Sequence, residues 1–179
     1  MAQITVSVEY ALHCLLWLVG AEGRPASSRE LAELQGISPT FLAKIFPRLE
    51  KAGIVRSAEG VAGGYLLARA PAEISVLEVV DAIEGTKPLF DCREIRGRCA
   101  LFGERPPGWA INGTCSIHAV MLRAEKAMRA ELASSSLEHI ARAVGRKAPA
   151  PFAGEVEAWL DARAAGRAGG ARAHPQRGP

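Results

Sequence analysis

A chain of 179 residues with a formal net charge of +3 has room for one compact core with an appendage, and not for two large domains. The apolar stretch near Ala11–Val19 is interrupted by His13 and Cys14 and lacks a basic leader, which excludes a signal peptide or membrane span and leads us to expect a cytoplasmic protein. Four cysteines without an export signal argue against a disulfide framework and for metal binding or redox sensing.

Charge is unevenly spread. Residues 24–69 carry seven Lys/Arg against four Asp/Glu, residues 70–141 eight against ten, and the segment from Arg142 onward seven against three. Phosphate binding requires local positive charge, so a basic first half with an acidic middle suits a DNA reader joined to a body that does not touch DNA.

In chain order, Val8, Ala11, Leu12, Leu15, Leu16 and Val19 fall at the spacing of an amphipathic helix, ended by Gly23 and Pro25. Ser27 and Glu30 form the signature of a capping box ahead of Leu31 and Leu34, opening a short helix that closes at Gly36. Ser38-Pro39 restarts the chain, and Leu42, Ile45, Phe46 and Leu49 give the next helix its apolar face as far as Gly53. Two short helices joined by a tight turn at Gly36 make a helix-turn-helix, whose second member presents Thr40, Lys44, Arg48 and Lys51. Ile54-Val55, the glycine-rich turn Gly60–Gly64 and Tyr65-Leu66-Leu67 read as a hairpin, the wing. Packed helices with a merely solvated charged face are the alternative, which the adjoining wing disfavours.

Ser75–Glu84 is a further amphipathic helix, with Val76, Leu77, Val79, Val80 and Ile83. A loop with several prolines and glycines follows over 86–114, long enough to need a functional reason. From Ser116 a long helix places Ile117, Met121, Ala124, Met128 and Leu132 on one stripe, suited to a symmetry mate, and Leu137–Val144 forms a short last helix. Beyond about Val144 the Ala/Gly/Arg/Pro-rich composition reads as a disordered basic tail.

The loop holds Cys92, Cys99 and Cys115, followed by His118, in the spacing C-x6-C-x15-C-x2-H. Several soft thiolates and an imidazole on one flexible segment suit zinc or an iron–sulfur cluster. Structural zinc sites gather closely spaced cysteine pairs, which this loop lacks, so the cluster is the better match. Arg93, Arg96 and Arg98 would stabilise thiolates and an anionic cluster. On the first helix Glu9 and His13, four apart, share one edge of the apolar stripe and form a competing ligand pair. Cys14, facing away, is a small packed residue.

These stretches resemble a known family, the iron–sulfur-binding winged-helix transcription repressors, the family of IscR and NsrR. The likeness is carried by Val8-Glu9-Tyr10-Ala11-Leu12, Leu42-Ala43-Lys44-Ile45, Leu49-Glu50-Lys51-Ala52-Gly53-Ile54-Val55, Gly63-Gly64-Tyr65-Leu66-Leu67-Ala68-Arg69, Ile74-Ser75-Val76-Leu77-Glu78-Val79-Val80 and Glu84-Gly85. It spans about residues 1–145. The resemblance implies a homodimer crossing through the long helix, two recognition helices on a palindromic operator in double-stranded DNA, and repression controlled by the redox or assembly state of a cluster. It implies ligation by Cys92, Cys99 and Cys115, with the remaining ligand either His118 or the partner subunit's Glu9 or His13. A 2Fe–2S cluster is expected, with 4Fe–4S open. The chain departs from the family in an apparent insertion at Glu104–Gly113, in a wing turn Glu59-Gly60-Val61-Ala62 that provides no positive charge, and in Pro47, expected to kink the recognition helix and concentrate base reading on Ser38–Lys44.

The expected fold is therefore mainly α with a small β-hairpin wing: a winged helix-turn-helix over 1–85, a cysteine-bearing loop over 86–114, a dimerisation helix and short helix over 115–145, and a disordered tail over 146–179. Expected DNA contacts are Ser28, Ser38, Thr40, Phe41, Lys44, Arg48, Lys51, Arg56, Gly63 and Tyr65. A metal-free thiol sensor and a zinc-stabilised regulator are the rival DNA-binding readings. An iron–sulfur electron carrier is the rival from another class, but no nucleotide-binding glycine motif or catalytic triad supports an enzyme.

Overall fold

A computed structural model describes residues 4–21, 23–60 and 63–172, with side chains through 167. Val61 and Ala62 of the expected wing turn, and the end of the expected tail from residue 173, lie outside the described residues. The chain divides into two compact units, one of residues 1–85 with 133–179 and one of residues 86–132.

The first unit is built on helix α1 (Val6–Gly20), which ends earlier than Gly23 and Pro25 suggested. Thr5 caps it by accepting from the Ser7 N–H, and donates its hydroxyl to Glu84 Oε1 at 2.5 Å. That places a carboxylate at the positive end of the helix. Helix α2 (Ser28–Gln35) has the expected capping box, Ser27 with Glu30. It stops at Gly36 in the left-handed region (φ 72°), with the Ile37 N–H reaching back to Ala32 O at 2.9 Å, a closure that glycine permits without strain. Helix α3 (Pro39–Lys51) follows at once.

Strands β1 (Val55–Ala58) and β2 (Gly64–Leu67) pair antiparallel, Val55 opposite Leu67 and Ala58 opposite Gly64. The returning strand also exchanges two backbone hydrogen bonds with Ala26, Tyr65 N–H to Ala26 O at 2.8 Å and Ala26 N–H to Tyr65 O at 3.1 Å. Helix α4 (Val76–Glu84) opens on a second capping box, Ser75 with Glu78. Burial pushes the Glu78 carboxyl up, but hydrogen bonds from Ser75 and Arg69 outweigh it and hold the group below the ordinary range.

In the second unit the expected structureless loop is partly ordered. It contains 3₁₀ turns at Ile95–Arg98 and Ala100–Phe102 and a single helical turn, α5 (Gly108–Ile111), inside the apparent insertion. The long helix α6 (Ser116–Ser134) leads out of it. Back in the first unit, the chain docks on the start of α4 through Val76 N–H to Ser135 O (2.8 Å) and Leu137 N–H to Ile74 O (2.9 Å). Helix α7 (Leu137–Gly145) then buries Leu137, so it joins the core unit rather than the long helix.

The expectation of disorder after residue 145 is corrected. Residues Phe152–Arg172 form helix α8, whose Leu160 is buried and whose Phe152 meets the Trp17 ring edge-on at 6.1 Å. Alanine in high proportion favours the helix itself, and Phe152, Val156 and Leu160 recur every fourth residue to give it an apolar side. Among the described residues no helix is long and apolar enough to cross a membrane.

The core gathers Leu15, Leu31, Leu42, Phe46, Leu49, Ile54, Ile74, Val79 and Leu137, each essentially inaccessible to solvent. Gly64 fixes how closely the wing approaches it. A Cβ there would stand 2.5 Å from the Ala26 carbonyl carbon and 2.8 Å from Ser27 N, both rigid backbone. Gly64→Ala is therefore expected to cost about 2 kcal/mol or more, read as a lowered midpoint in thermal or urea denaturation.

Candidate nucleic-acid interface and cysteine loop

The recognition surface follows from the burial of α3. Leu42, Ile45, Phe46 and Leu49 point inward, which leaves Ser38, Thr40, Lys44, Arg48 and Lys51 outward. Pro47 lies on that outer face and the helix continues through it to Lys51. The missing N–H leaves the Ala43 carbonyl without a helical partner, and on an exposed face water can take its place.

Three of the expected contacts are committed within the protein. Arg48 Nη1 donates to Ile83 O at 2.9 Å, near the end of α4. The Phe41 ring meets Tyr10 edge-on at 5.6 Å, and the Tyr65 ring lies 4.6 Å from that of Phe46. Burial, and secondarily the Glu50 carboxylate, raise the Tyr65 hydroxyl above its ordinary pKa. Ser28 is half-buried at the first turn of α2. Gly63 is a tight-turn position, since a Cβ would meet Ala58 O at 2.5 Å. Arg56 is exposed on β1. Glu50, which the sequence reading passed over, accepts from Ser57 N–H at 2.9 Å and from the Ser57 hydroxyl, lashing the wing to α3.

The cysteine loop is organised around Arg96. Its guanidinium donates to Ile111 O (3.1 Å) and Gly113 O (2.9 Å) and pairs with Glu94, closing the segment on itself. Glu94 occupies the left-handed region (φ 47°), unusual for a side chain of its kind. The hydrogen bond from Arg96 holds the Glu94 carboxyl below its ordinary range, and the same pair, assisted by Cys115 and Cys92, raises Arg96. Cys92 is half-buried, Cys99 exposed and Cys115 buried. Cys99 and Arg96 line a cavity of about 400 Å³ with Trp109 and Ser116. His118 lies one turn into α6 with its ring 6.0 Å from Phe90.

In donor chemistry these residues fit an anionic metal–sulfur centre: three thiols and an imidazole, with a guanidinium within electrostatic reach of two of the thiols. Among the described residues, however, no three His, Cys, Asp or Glu side chains converge on one point. Glu9 and His13, in the first unit, are exposed and line a groove with Leu12, Leu16, Ile140 and Val144. Cys14 is buried, and burial pushes its thiol up to about 12.

Residues 4–143 match the family model described as an iron-dependent transcriptional regulator, Rrf2. The chain belongs to the Rrf2 family. It is 32% identical over 139 residues to the transcriptional regulator IscR of Xenorhabdus nematophila, covering 78% of this chain and 74% of that one. It is 35% identical over 96 residues to a regulator named ORF2 from Azotobacter vinelandii, a match spanning only 58% of that relative and 53% of this chain. Among solved structures, IscR of T. potens superposes with a TM-score of 0.61 at 26% identity, over 82% of this chain and 91% of that one. CymR of B. subtilis, at 24% identity and a TM-score of 0.62 over 79% of this chain and 98% of that one, shares the fold. As an Rrf2 protein the chain is a DNA-binding transcriptional regulator with a winged-helix fold, and its relatives are regulators rather than enzymes.

Lys44 projects freely from the reading face of this Rrf2 chain. Lys44→Ala should weaken duplex binding about tenfold and lower the slope of log affinity against log salt by about one, measured by fluorescence anisotropy. Thiol accessibility gives a second expectation. A maleimide should label exposed Cys99 first, while buried Cys14, un-ionised at neutral pH, reacts only after unfolding, as followed by mass spectrometry.

Proposed function

We propose that this chain is a homodimeric cytoplasmic repressor whose affinity for a palindromic operator responds to the redox or assembly state of an iron–sulfur cluster, held by Cys92, Cys99 and Cys115. The observation that carries the reading is the set of three thiols and His118 in one unit, two of the thiols within electrostatic reach of Arg96, in a chain related to IscR. When bound, such a cluster supplies a centre that gains or loses an electron, or is dismantled, under conditions the protein itself withstands. The protein's own part is to keep the three cysteines and a guanidinium in one unit and to close the loop through the Arg96 bonds. His118 offers an imidazole from the same segment, and His13 or Glu9 of the partner subunit offers the alternative.

The dimer reading rests on α6. Nineteen residues long, it buries no side chain, and Ile117 is 63%, Val120 51% and Leu122 47% exposed. A helix of that length keeps its structure in water through packing of an apolar face, and a second copy of the same helix fits the requirement.

The lack of a converged ligand set among the described residues favours one second reading, a regulator that works through its thiols without a metal; a zinc-stabilised regulator, the other alternative, needs converging ligands as a cluster does. Protein purified without oxygen distinguishes these readings. Under the cluster reading it is coloured, contains iron and sulfide, and both Cys99→Ala and Cys115→Ala bleach the visible absorbance and change operator affinity by at least about tenfold. Colourless protein containing zinc or no metal, or variants with unchanged colour and binding, would overturn it. His118→Ala compared with His13→Ala, by the same absorbance, assigns the remaining ligand.

A further inference from the structure

Helix α8 lies beyond the residues matched by the family model, yet it is firmly docked on the reading head. Leu160 is buried, Phe152 meets Trp17, Arg24 pairs with Asp161, and Arg24 Nη1 also donates to the Glu157 carbonyl at 3.4 Å. Trp17 in turn donates Nε1–H to Gln35 at 2.9 Å, so α8, α1 and the end of α2 are held together. Beyond this anchor, two arginines one helical turn apart face two carboxylates of α2. Arg163 bonds Glu33 at 2.7 Å while its guanidinium rests 4.6 Å from the centroid of the Trp159 ring. Arg167 pairs with Glu30, an ion pair in which the arginine side chain is only 24% and the glutamate 10% exposed.

By itself, α2 carries Arg29 against Glu30 and Glu33, a net charge of −1. With Arg163 and Arg167 in place the same face carries +1. The location matters because those arginines share one groove with Ser27, Arg29, Gly36 and Pro39. These residues form the turn of the helix-turn-helix and the starts of α2 and α3, the helix ends that approach duplex phosphates in this motif. Uncompensated carboxylates there would repel the phosphate backbone.

We propose that α8 conditions the charge of the DNA-reading head: Arg163 and Arg167 neutralise Glu33 and Glu30, so that α2 can be brought against the phosphate backbone of duplex DNA. The two arginines are positioning residues acting through the glutamates. The inference rests on DNA binding by the helix-turn-helix and is independent of whether a cluster is bound.

The test uses the full chain and a mixed-sequence duplex, since the effect is sequence-independent, with affinity read by fluorescence anisotropy across a salt titration. Glu33 and Arg163 are both close to half exposed, so substitution there leaves the fold intact, which a thermal melt checks. Glu33→Gln should tighten binding and Arg163→Gln weaken it, each roughly threefold to tenfold at low salt, both effects fading as salt rises. The double variant should return to within about twofold of the parent, since removing the carboxylate removes the need for its partner. Single variants with unaltered affinity would overturn the proposal. So would tighter binding by Arg163→Gln, which would make α8 a brake, or failure of Glu33→Gln to rescue it, which would place Arg163 directly on phosphate.

Discussion

The burial of Leu42, Ile45, Phe46 and Leu49 against α1 and its neighbours governs how this molecule presents itself to DNA. A helix with one side committed to a core has a single orientation about its own axis, and Thr40, Lys44 and Lys51 are then outward by geometry rather than by their own preferences. The surrounding contacts refine that orientation. Arg48 reaches the end of α4, Tyr10 holds Phe41 edge-on, and Phe46 receives Tyr65 from the wing. Side chains on the face toward DNA are thereby sorted into those that steady the helix and those left for phosphate or base edges.

The second unit follows another logic, with few buried apolar groups and much of its order supplied by polar contacts. Arg96 joins chain segments fifteen to seventeen residues apart through backbone carbonyls, and Leu89 N–H bonds Glu125 at 3.1 Å. Exposed Leu101 and Trp109, at 91% and 79%, add little cohesion. A region stabilised in this way opens at small free-energy cost compared with a packed core. That suits the proposed role of this segment, in which the cysteines would change partners while the reading head stays folded.

Much of the fold was legible because it is written locally. Ser27 with Glu30, Gly36 after Gln35, and Pro39 after Ser38 each act within a turn of chain, and the helix-turn-helix they delimit appears where those signals place it. The cysteine spacing marks the candidate loop in the sequence, but not the arrangement of its side chains. Nothing adjacent to Arg96 in sequence announces bonds to Ile111 and Gly113, and nothing near Arg48 announces α4, because both depend on which distant segments meet. The tail was misread for a different reason. Its Ala, Gly and Arg content outweighed the regular recurrence of Phe152, Val156 and Leu160, although that recurrence is an amphipathic signal of the kind used to find α1.

The paired hydrogen bonds between Ala26 and Tyr65, the absence of a side chain at Gly64, and the tie from Ser57 to Glu50 join wing, α2 and α3 by backbone and close packing. Among the described residues these contacts tie the wing to the recognition helix. In the proposed regulation, a signal that alters DNA affinity would act on this head as one piece. In a dimer the quantity left to adjust is the distance and twist between two such pieces, measured against the helical repeat of the duplex.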